Sequence, residues 1–366
     1  MLRVGLIGWR GMVGSVLMQR MREENDFAGI ESVFFSTSAI GGTAPKEAGD
    51  RSSLKDAKDL QTLSTCDVLI SCQGGDYTTE IYAPLRARGW KGYWIDAAST
   101  LRMSDEAIIA LDPVNESVIR AGLARGFRAF AGGNCTVSLM LMAVGGLLKS
   151  SLVEWITTMT YQAASGAGAA KVLELVKQME CITDPTRAKP SDNALEVDRM
   201  ITQALGCPEL PTREFGAPLA ASLIPWIDRE MPDGQTREEW KGMAETNKIM
   251  ALRPPVPVDG ICVRVATMRC HGQGLCIKLT RDVPLRDIED ILRNGNPWVR
   301  LIPNDQESTT LCLTPAAVSG SLNVPIGRLH KLKLGPEFLG AFTVGDQLLW
   351  GAAEPLRRML KIIREN

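Results

Sequence analysis

Arg3-Val4-Gly5-Leu6-Ile7-Gly8-Trp9-Arg10-Gly11-Met12-Val13-Gly14 decides the architecture of this chain. Residues 3–8 read as a short buried strand, and Met12 to Glu24 read as a helix. Gly8, Gly11 and Gly14 fall at the turn between them. Glycines there permit a tight reversal, close approach to a phosphate and close helix–strand contact. The spacing is not the commoner Gly-x-Gly-x-x-Gly, so the strand–turn–helix setting carries the reading; a glycine turn that serves packing alone is the competing one. Working outward, strands are expected at Val33-Phe34-Phe35, Val68–Cys72 and Tyr93–Ile95, with helices between. That alternation predicts an α/β unit of Rossmann type with a parallel, doubly wound sheet. The stretch Gly41–Asp50 reads as a surface loop.

The end of the second strand bears on the cofactor. Binders of NAD usually place Asp or Glu there to hold the ribose 2′-hydroxyl. Here the chain reads Phe35-Ser36-Thr37-Ser38, with Arg10 in the glycine turn. Hydroxyls and a guanidinium in place of a carboxylate favour the 2′-phosphate of NADP. The alternative is that Thr37 and Ser38 cap a turn and Arg10 is solvated.

Past Cys135 the pattern changes. Segments 153–163, 258–268 and 273–280 read as longer strands, and Val172–Met179 and Asn193–Ala204 as helices. Thr183–Asp192, with two prolines and several charges, reads as a mobile loop. These runs predict a second, α+β unit. Gln347 to Ile363 has apolar residues at helical spacing and is expected to pack back on the first unit. The division expected is 1–133 together with a C-terminal helix at about 348–366 for the dinucleotide, and 134–347 for catalysis.

A length of 366 residues fits two domains. With 45% hydrophobic and 23% charged residues, and 41 basic against 42 acidic side chains, the net charge is −1. That balance gives no reason to expect a nucleic-acid or anionic-membrane partner. Met1-Leu2-Arg3-Val4 enters a strand without the features of a signal peptide, and no apolar run is long enough for a membrane span. The 9 cysteines contain no Cys-x-x-Cys pair, which points to reduced thiols in a cytoplasmic protein. Cys262, Cys270, His271 and Cys276 match none of the common zinc spacings, and no metal is expected.

Gly132-Gly133-Asn134-Cys135-Thr136, followed by the apolar run Val137–Leu148, places one thiol on a glycine turn where a buried helix begins. Unpaired N–H groups and the positive dipole end there favour a thiolate, the attacking form of cysteine. A thiol nucleophile beside a nicotinamide suggests aldehyde chemistry through a thiohemiacetal and a thioester. Only two histidines occur, His271 and His330. His330 lies in the basic run Arg328-Leu329-His330-Lys331 and reads as a surface residue, which leaves His271 as the base. Arg264, between Val263 and Val265, is a candidate bidentate carboxylate clamp. Read on one flat strand, Arg264 and His271 would face opposite sides, so a bulge or turn must intervene if both serve one site.

These segments, together with Cys72-Gln73-Gly74-Gly75-Asp76-Tyr77, Asp96-Ala97-Ala98-Ser99, Tyr161-Gln162-Ala163-Ala164-Ser165-Gly166, Glu238-Glu239-Trp240-Lys241, Arg269-Cys270-His271 and Gly345-Asp346-Gln347-Leu348-Leu349-Trp350-Gly351, carry a resemblance that extends over essentially the whole chain. The sequence resembles the aspartate-semialdehyde dehydrogenases, in the branch typical of Gram-negative bacteria. The resemblance implies NADPH-dependent reductive dephosphorylation of aspartyl phosphate to aspartate semialdehyde, in the biosynthesis of lysine, methionine and threonine, by a homodimer. It implies that Cys135 carries the acyl-thioester, His271 is the acid/base, and Gln162 orients the substrate or the attacking group. Glu238 would bind the substrate's amino group and Arg264 its carboxylate. Arg102, Asn134 and Lys241 would hold inorganic phosphate. Gly8, Arg10, Gly11, Met12, Val13, Thr37, Ser38, Gln73, Ser165, Gly166, Ala167, Gly168, Ala169, Pro190 and Gln347 would contact NADP.

Plainer readings stand beside these roles. Glu238 and Lys241 are within one helical turn and could be a solvated ion pair, and Arg102 could be a surface residue capping the Ser104 turn. Two other functions compete. N-acetyl-glutamyl-phosphate reductase shares the thiol, histidine and acyl phosphate, but an acetylated amine has no use for a buried Glu238. A nucleotide-sensing protein with a dead site would keep the dinucleotide and show no reactive thiol.

Overall fold

The computed structural model describes residues 1–49 and 52–366; Asp50, at the end of the expected surface loop, lies outside the described residues. The opening strand is β1, Leu2–Ile7, and the glycine turn delivers the chain into the helix Met12–Glu23. β2 (Ile30–Ser36), β3 (Lys55–Asp56), β4 (Val68–Ser71), β5 (Tyr93–Asp96), β6 (Ala107–Ala110) and β7 (Ala129–Gly132) complete a seven-stranded sheet of order β3-β2-β1-β4-β5-β7-β6. Every pairing in it is parallel. The direction of strand addition reverses between β1 and β4, and ligands of such sheets bind at that reversal, outside the carboxyl ends of the strands. The glycine turn stands there. β3, β6 and β7 were not anticipated: they are two to four residues long, and Ala129-Phe130-Ala131-Gly132 has little β propensity.

The second sheet has the order β12-β13-β14-β11-β8-β10-β9 and mixes parallel and antiparallel pairs. Its strands are β8 (Val153–Gln162), β9 (Leu223–Ile224), β10 (Val258–Val265), β11 (Cys270–Leu279), β12 (Val299–Leu301), β13 (Val324–Lys331) and β14 (Phe338–Asp346). One face packs on the helix Cys135–Lys149, whose apolar residues join Ile156, Leu275 and Ile277 in one core. On the opposite face, Met159, Tyr161 and Ile261 are exposed.

Two expectations are corrected here. The strand expected at 258–268 stops at Val265, and residues 266–269 turn the chain into β11, so Arg264 and His271 lie on different strands and the parity conflict disappears. The expected loop Thr183–Asp192 is helical as far as Ala188: the helix Ala169–Ala188 runs through Pro185, and Lys189 N–H caps it on the Pro185 carbonyl. Charges on exposed helical positions had looked like loop composition.

The final helix, Glu354–Glu365, returns to the first sheet, where Leu356, Met359, Leu360, Ile362 and Ile363 enter a core with Val4, Ile95 and Phe130. Arg357 pins it there, donating to Asp26 at 2.8 Å and to Glu354 at 3.2 Å. No helix among the described residues is long and apolar enough to cross a membrane.

Candidate active site

The first sheet ends at Gly132, and two residues later the chain enters the helix Cys135–Lys149. Asn134 caps it: its Oδ1 accepts from Thr136 N–H at 3.0 Å and Val137 N–H at 3.2 Å. Cys135 is thereby held as the first residue of a buried helix, partly open to a cleft of about 1550 Å³ between the sheets. Gly351 backs it so closely that a Cβ there would stand 2.7 Å from Cys135 Cβ. The π-helical turn Leu349–Ala353 makes that approach, as such turns often do at functional sites.

β11 brings His271 behind the thiol, with Nε2 3.2 Å from Sγ. Ala163 N–H donates to Nδ1 at 3.0 Å, which puts the proton of the neutral ring on Nε2, facing the sulfur. The imidazole is fully buried. Burial, and then the nearby Arg264 guanidinium, hold its pKa down at about 3. Burial, and then the Glu238 carboxylate, push the Cys135 thiol up to about 12, against the pull of Arg264, Arg102 and Lys241. Desolvation thus works against the thiolate that the helix terminus favours, and against a charged ring.

Two strands and one helix supply most of the anchors. Gln162 ends β8, in register with Arg264 on β10. Arg264 is buried and donates to the Ala163 carbonyl at 2.7 Å; burial lowers its pKa from the ordinary arginine value. The helix Arg237–Met250 opens with a capping box between Thr236 and Glu239, which fixes the first turn that carries Glu238 and Lys241. Glu238 accepts from Asn134 Nδ2 at 2.9 Å, Gln162 Nε2 at 3.3 Å and Lys241 Nζ at 2.9 Å. Burial raises the Glu238 pKa, but Lys241 and Asn134 reverse this and leave it below the ordinary value. Lys241 also binds Asp228 at 2.9 Å. Glu238 and Lys241 are thus a buried pair rather than a solvated one, and Arg102 is buried rather than capping a surface turn. His330 is exposed and remote in role, its ring turned to the Arg328 carbonyl.

A groove beside the cleft, sharing Gly11 and Cys72 with it, is lined by Gly8, Arg10, Thr37, Ser38 and Gln73. Its chemistry fits a dinucleotide. Gly8 has φ +70°, and a Cβ on Gly14 would meet the Gly8 carbonyl at 2.2 Å, so the turn tolerates only glycine at these points. The helix that follows has no side-chain cap, which leaves its first N–H groups for a pyrophosphate. Arg10 bonds Ser36 Oγ at 2.9 Å and Ser38 Oγ at 3.1 Å, and among the described residues no carboxylate lines the groove. Met12, Val13 and residues 165–169 continue along the cleft with Gln347, whose amide donates to Ser165 Oγ at 2.7 Å. A Cβ on Gly166 would come within 3.1 Å of the His271 ring. Pro190 is not brought here: it is exposed beyond a 20-residue helix that leaves the cleft at Ala169, a run of roughly 30 Å.

The sequence profile of the semialdehyde dehydrogenase NAD-binding domain matches residues 3–122, and that of the semialdehyde dehydrogenase dimerisation domain matches residues 144–350. The solved aspartate semialdehyde dehydrogenase of Francisella tularensis is 47% identical over the full length of both chains, with a TM-score of 0.96. The chain belongs to the aspartate-semialdehyde dehydrogenase family. It is an oxidoreductase of that family, with both of its domains. More distant structures share the fold: Vibrio cholerae aspartate semialdehyde dehydrogenase II complexed with ASA, at 22% identity and TM-score 0.82, and the Candida albicans enzyme with NADP, at 15% and 0.67. They cover 100% of this chain and 99% and 98% of their own.

Three residues of this dehydrogenase site went unnoticed in the sequence. Asp228 lies in an irregular loop, with φ +71°, and nothing periodic marks it. Gly351 was visible only as part of a motif. Glu245 had a readable signal: it follows Glu238 by seven and Lys241 by four, which puts all three on one helical face.

Proposed function

We propose that the protein reduces L-aspartyl-4-phosphate to L-aspartate 4-semialdehyde with NADPH, releasing inorganic phosphate, and runs the reverse phosphorylating oxidation. The observation that carries this reading is the Cys135–His271 contact of 3.2 Å inside a cleft that also presents buried Arg102, Lys241, Glu238 and Arg264. The substrate has an ammonium, a carboxylate and an acyl phosphate. One acid and three cations match that inventory, and Arg and Lys stay charged where phosphate must be held. In this reading Arg264 takes the carboxylate, Glu238 the ammonium, Arg102, Asn134 and Lys241 the phosphate, and Gln162 orients the acyl group.

Sγ attacks the acyl carbon, the C–O bond to phosphate breaks, and a thioester forms on Cys135. The thiol proton leaves with the phosphate. One of the phosphate oxygens takes it from the sulfur, while Nε2–H of His271 donates to Sγ and steadies the attack, so Nδ1 keeps its bond to Ala163 and no imidazolium is required. This suits a ring held at about 3. Residues 8, 10–13, 37–38, 73, 165–169 and 347 would hold NADPH, which when bound would supply a hydride to bring the thioester to the aldehyde level. Cys135 leaves as a thiolate bonded to Nε2–H and takes one proton from water to restore the thiol. Arg10 with Ser38 suits the 2′-phosphate of NADP.

We assign the dinucleotide to residues 1–133 with 348–366, and acyl chemistry and dimerisation to 134–347. The exposed Met159, Tyr161 and Ile261 are the sheet face on which we place a homodimer. A cytoplasmic location follows from the reading of a biosynthetic enzyme with reduced thiols. The deciding experiment is NADP reduction with aspartate semialdehyde, followed by absorbance with and without phosphate. Strict phosphate dependence is expected. Turnover without phosphate would mean hydrolytic aldehyde oxidation; no turnover with NADP still bound would favour another acyl phosphate or a sensor.

A further inference from the structure

Glu245 is 1% exposed, and the steps above make no use of it. Its Oε1 binds Arg102 Nη1 at 3.1 Å, and its Oε2 accepts from the Asn134 backbone N–H at 2.6 Å. These two partners have different jobs. Arg102 comes from the first sheet's side and faces the cleft; Asn134 is the cap of the nucleophile helix. Arg102 is fixed further by the Gly132 carbonyl at 2.7 Å on Nε and the Ala97 carbonyl at 3.2 Å on Nη2. A guanidinium has five N–H donors. The three bonds just named consume one on each nitrogen and leave one on Nη1 and one on Nη2.

We infer that Glu245 is a positioning residue that couples phosphate recognition to nucleophile placement, by setting the pose of Arg102 and the turn into Cys135 with one carboxylate. This rests on the phosphate role proposed for Arg102. The chemistry requires a carboxylate. Both its oxygens are acceptors, and both of its partners are donors. A glutamine of the same shape has one accepting oxygen and one NH₂, so it must place a donor against either Arg102 or Asn134. Nor is Glu245 an isolated prop. It shares a helical face with Lys241 and Glu238, and Asn134 donates from its backbone to Glu245 and from its side chain to Glu238.

The test is steady-state kinetics of Glu245→Gln in the phosphorylating direction, with phosphate, aspartate semialdehyde and NADP varied in turn, alongside Arg102→Lys and the double variant. Loss of a charge-assisted hydrogen bond predicts a rise in phosphate KM of about tenfold to a hundredfold. NADP binding should stay within about twofold, because the glycine groove is untouched. In the double variant the losses in kcat/KM for phosphate should fall well short of their product, as for residues that act through one another. An unchanged phosphate KM, or strictly multiplicative losses, would overturn the inference. If Glu245→Gln does not fold, Glu245→Asp keeps both acceptors but loses reach by one methylene, and it must show the same selective rise; equal losses for all three substrates would mean a purely structural role. A wild-type enzyme indifferent to phosphate would instead overturn the proposed function, and this inference with it.

Discussion

At the scale of single residues, the site is governed by what burial does to charge. His271 is held neutral at about 3, against an ordinary value of 6.5. Between those values the unfolded chain binds a proton that the folded one refuses. Stability is therefore full above about 6.5 and falls as pH drops toward about 3, by up to about 1.4 kcal/mol per pH unit from this group. Urea midpoints measured from pH 7 to pH 4 should fall less steeply for His271→Asn than for the wild type; parallel curves would show that the ring is charged in the folded protein. The same substitution removes the ring whose Nε2–H steadies the sulfur, so kcat should drop by about 10²- to 10⁴-fold with substrate binding little changed. A shift confined to KM would contradict the role given to Nε2. Arg264→Lys keeps the charge and loses the planar fork. It should raise the KM for aspartate semialdehyde by tenfold or more, and an unaffected KM would remove the clamp.

At the scale of elements, what could be read in the sequence was what repeats or punctuates. The glycine turn, the strands on either side of it and the apolar helix after Cys135 follow from period and glycine placement. Gly132 to Thr136 announced the nucleophile because a thiol at a helix start has few other uses. β6 and β7 were missed because Ala107-Ile108-Ile109-Ala110 and Ala129-Phe130-Ala131-Gly132 are half alanine, a residue of little β propensity, whereas the equally short β4 and β5 are built mostly from β-branched, leucine and aromatic residues. Arg264 and His271 were fused into one strand because residues 266–269 turn with neither Gly nor Pro. Asp228 reaches Lys241 by a loop path that no local pattern encodes. The π-helical turn is another such case: Leu349–Ala353 reads as ordinary helix, yet its extra width sets Gly351 against Cys135. Gly351→Ala should push the nucleophile off its position, lower kcat by about 10- to 100-fold and cost about 1–3 kcal/mol of stability, read as a lower urea midpoint. Steady-state rates together with the alkylation rate of Cys135 would check this; normal kcat with alanine in place would show that the contact has room to give.

At the scale of the whole molecule, the chain passes between its two sheets twice, at residues 132–135 and again after Asp346, and both passages run beside the sulfur. The second is secured by ions. Arg20 binds Glu354 at 2.6 Å, Arg358 binds Asp112 at 2.6 Å, and Arg357 is buried against Asp26. Arg357→Ala strands the buried Asp26 without its cation and leaves Glu354 to Arg20 alone, and should cost about 3 kcal/mol or more, read as a lower urea midpoint. A loss under 1 kcal/mol would mean that apolar contact alone seats the helix. The helix Glu354–Glu365 also has a consequence in time. A ribosome finishes the strands β1 to β7 long before it makes the segment that covers them. Until then Val4, Ile95 and Phe130 have Leu17, Met18, Ile119 and Leu123 beside them but lack the part of their core that Leu356, Met359 and Leu360 supply. A nascent chain halted at Lys331 would carry Cys135 and His271, yet its first sheet would still be partly uncovered and Gln347 unmade, so the dinucleotide groove is completed only once residues 347–365 have been made.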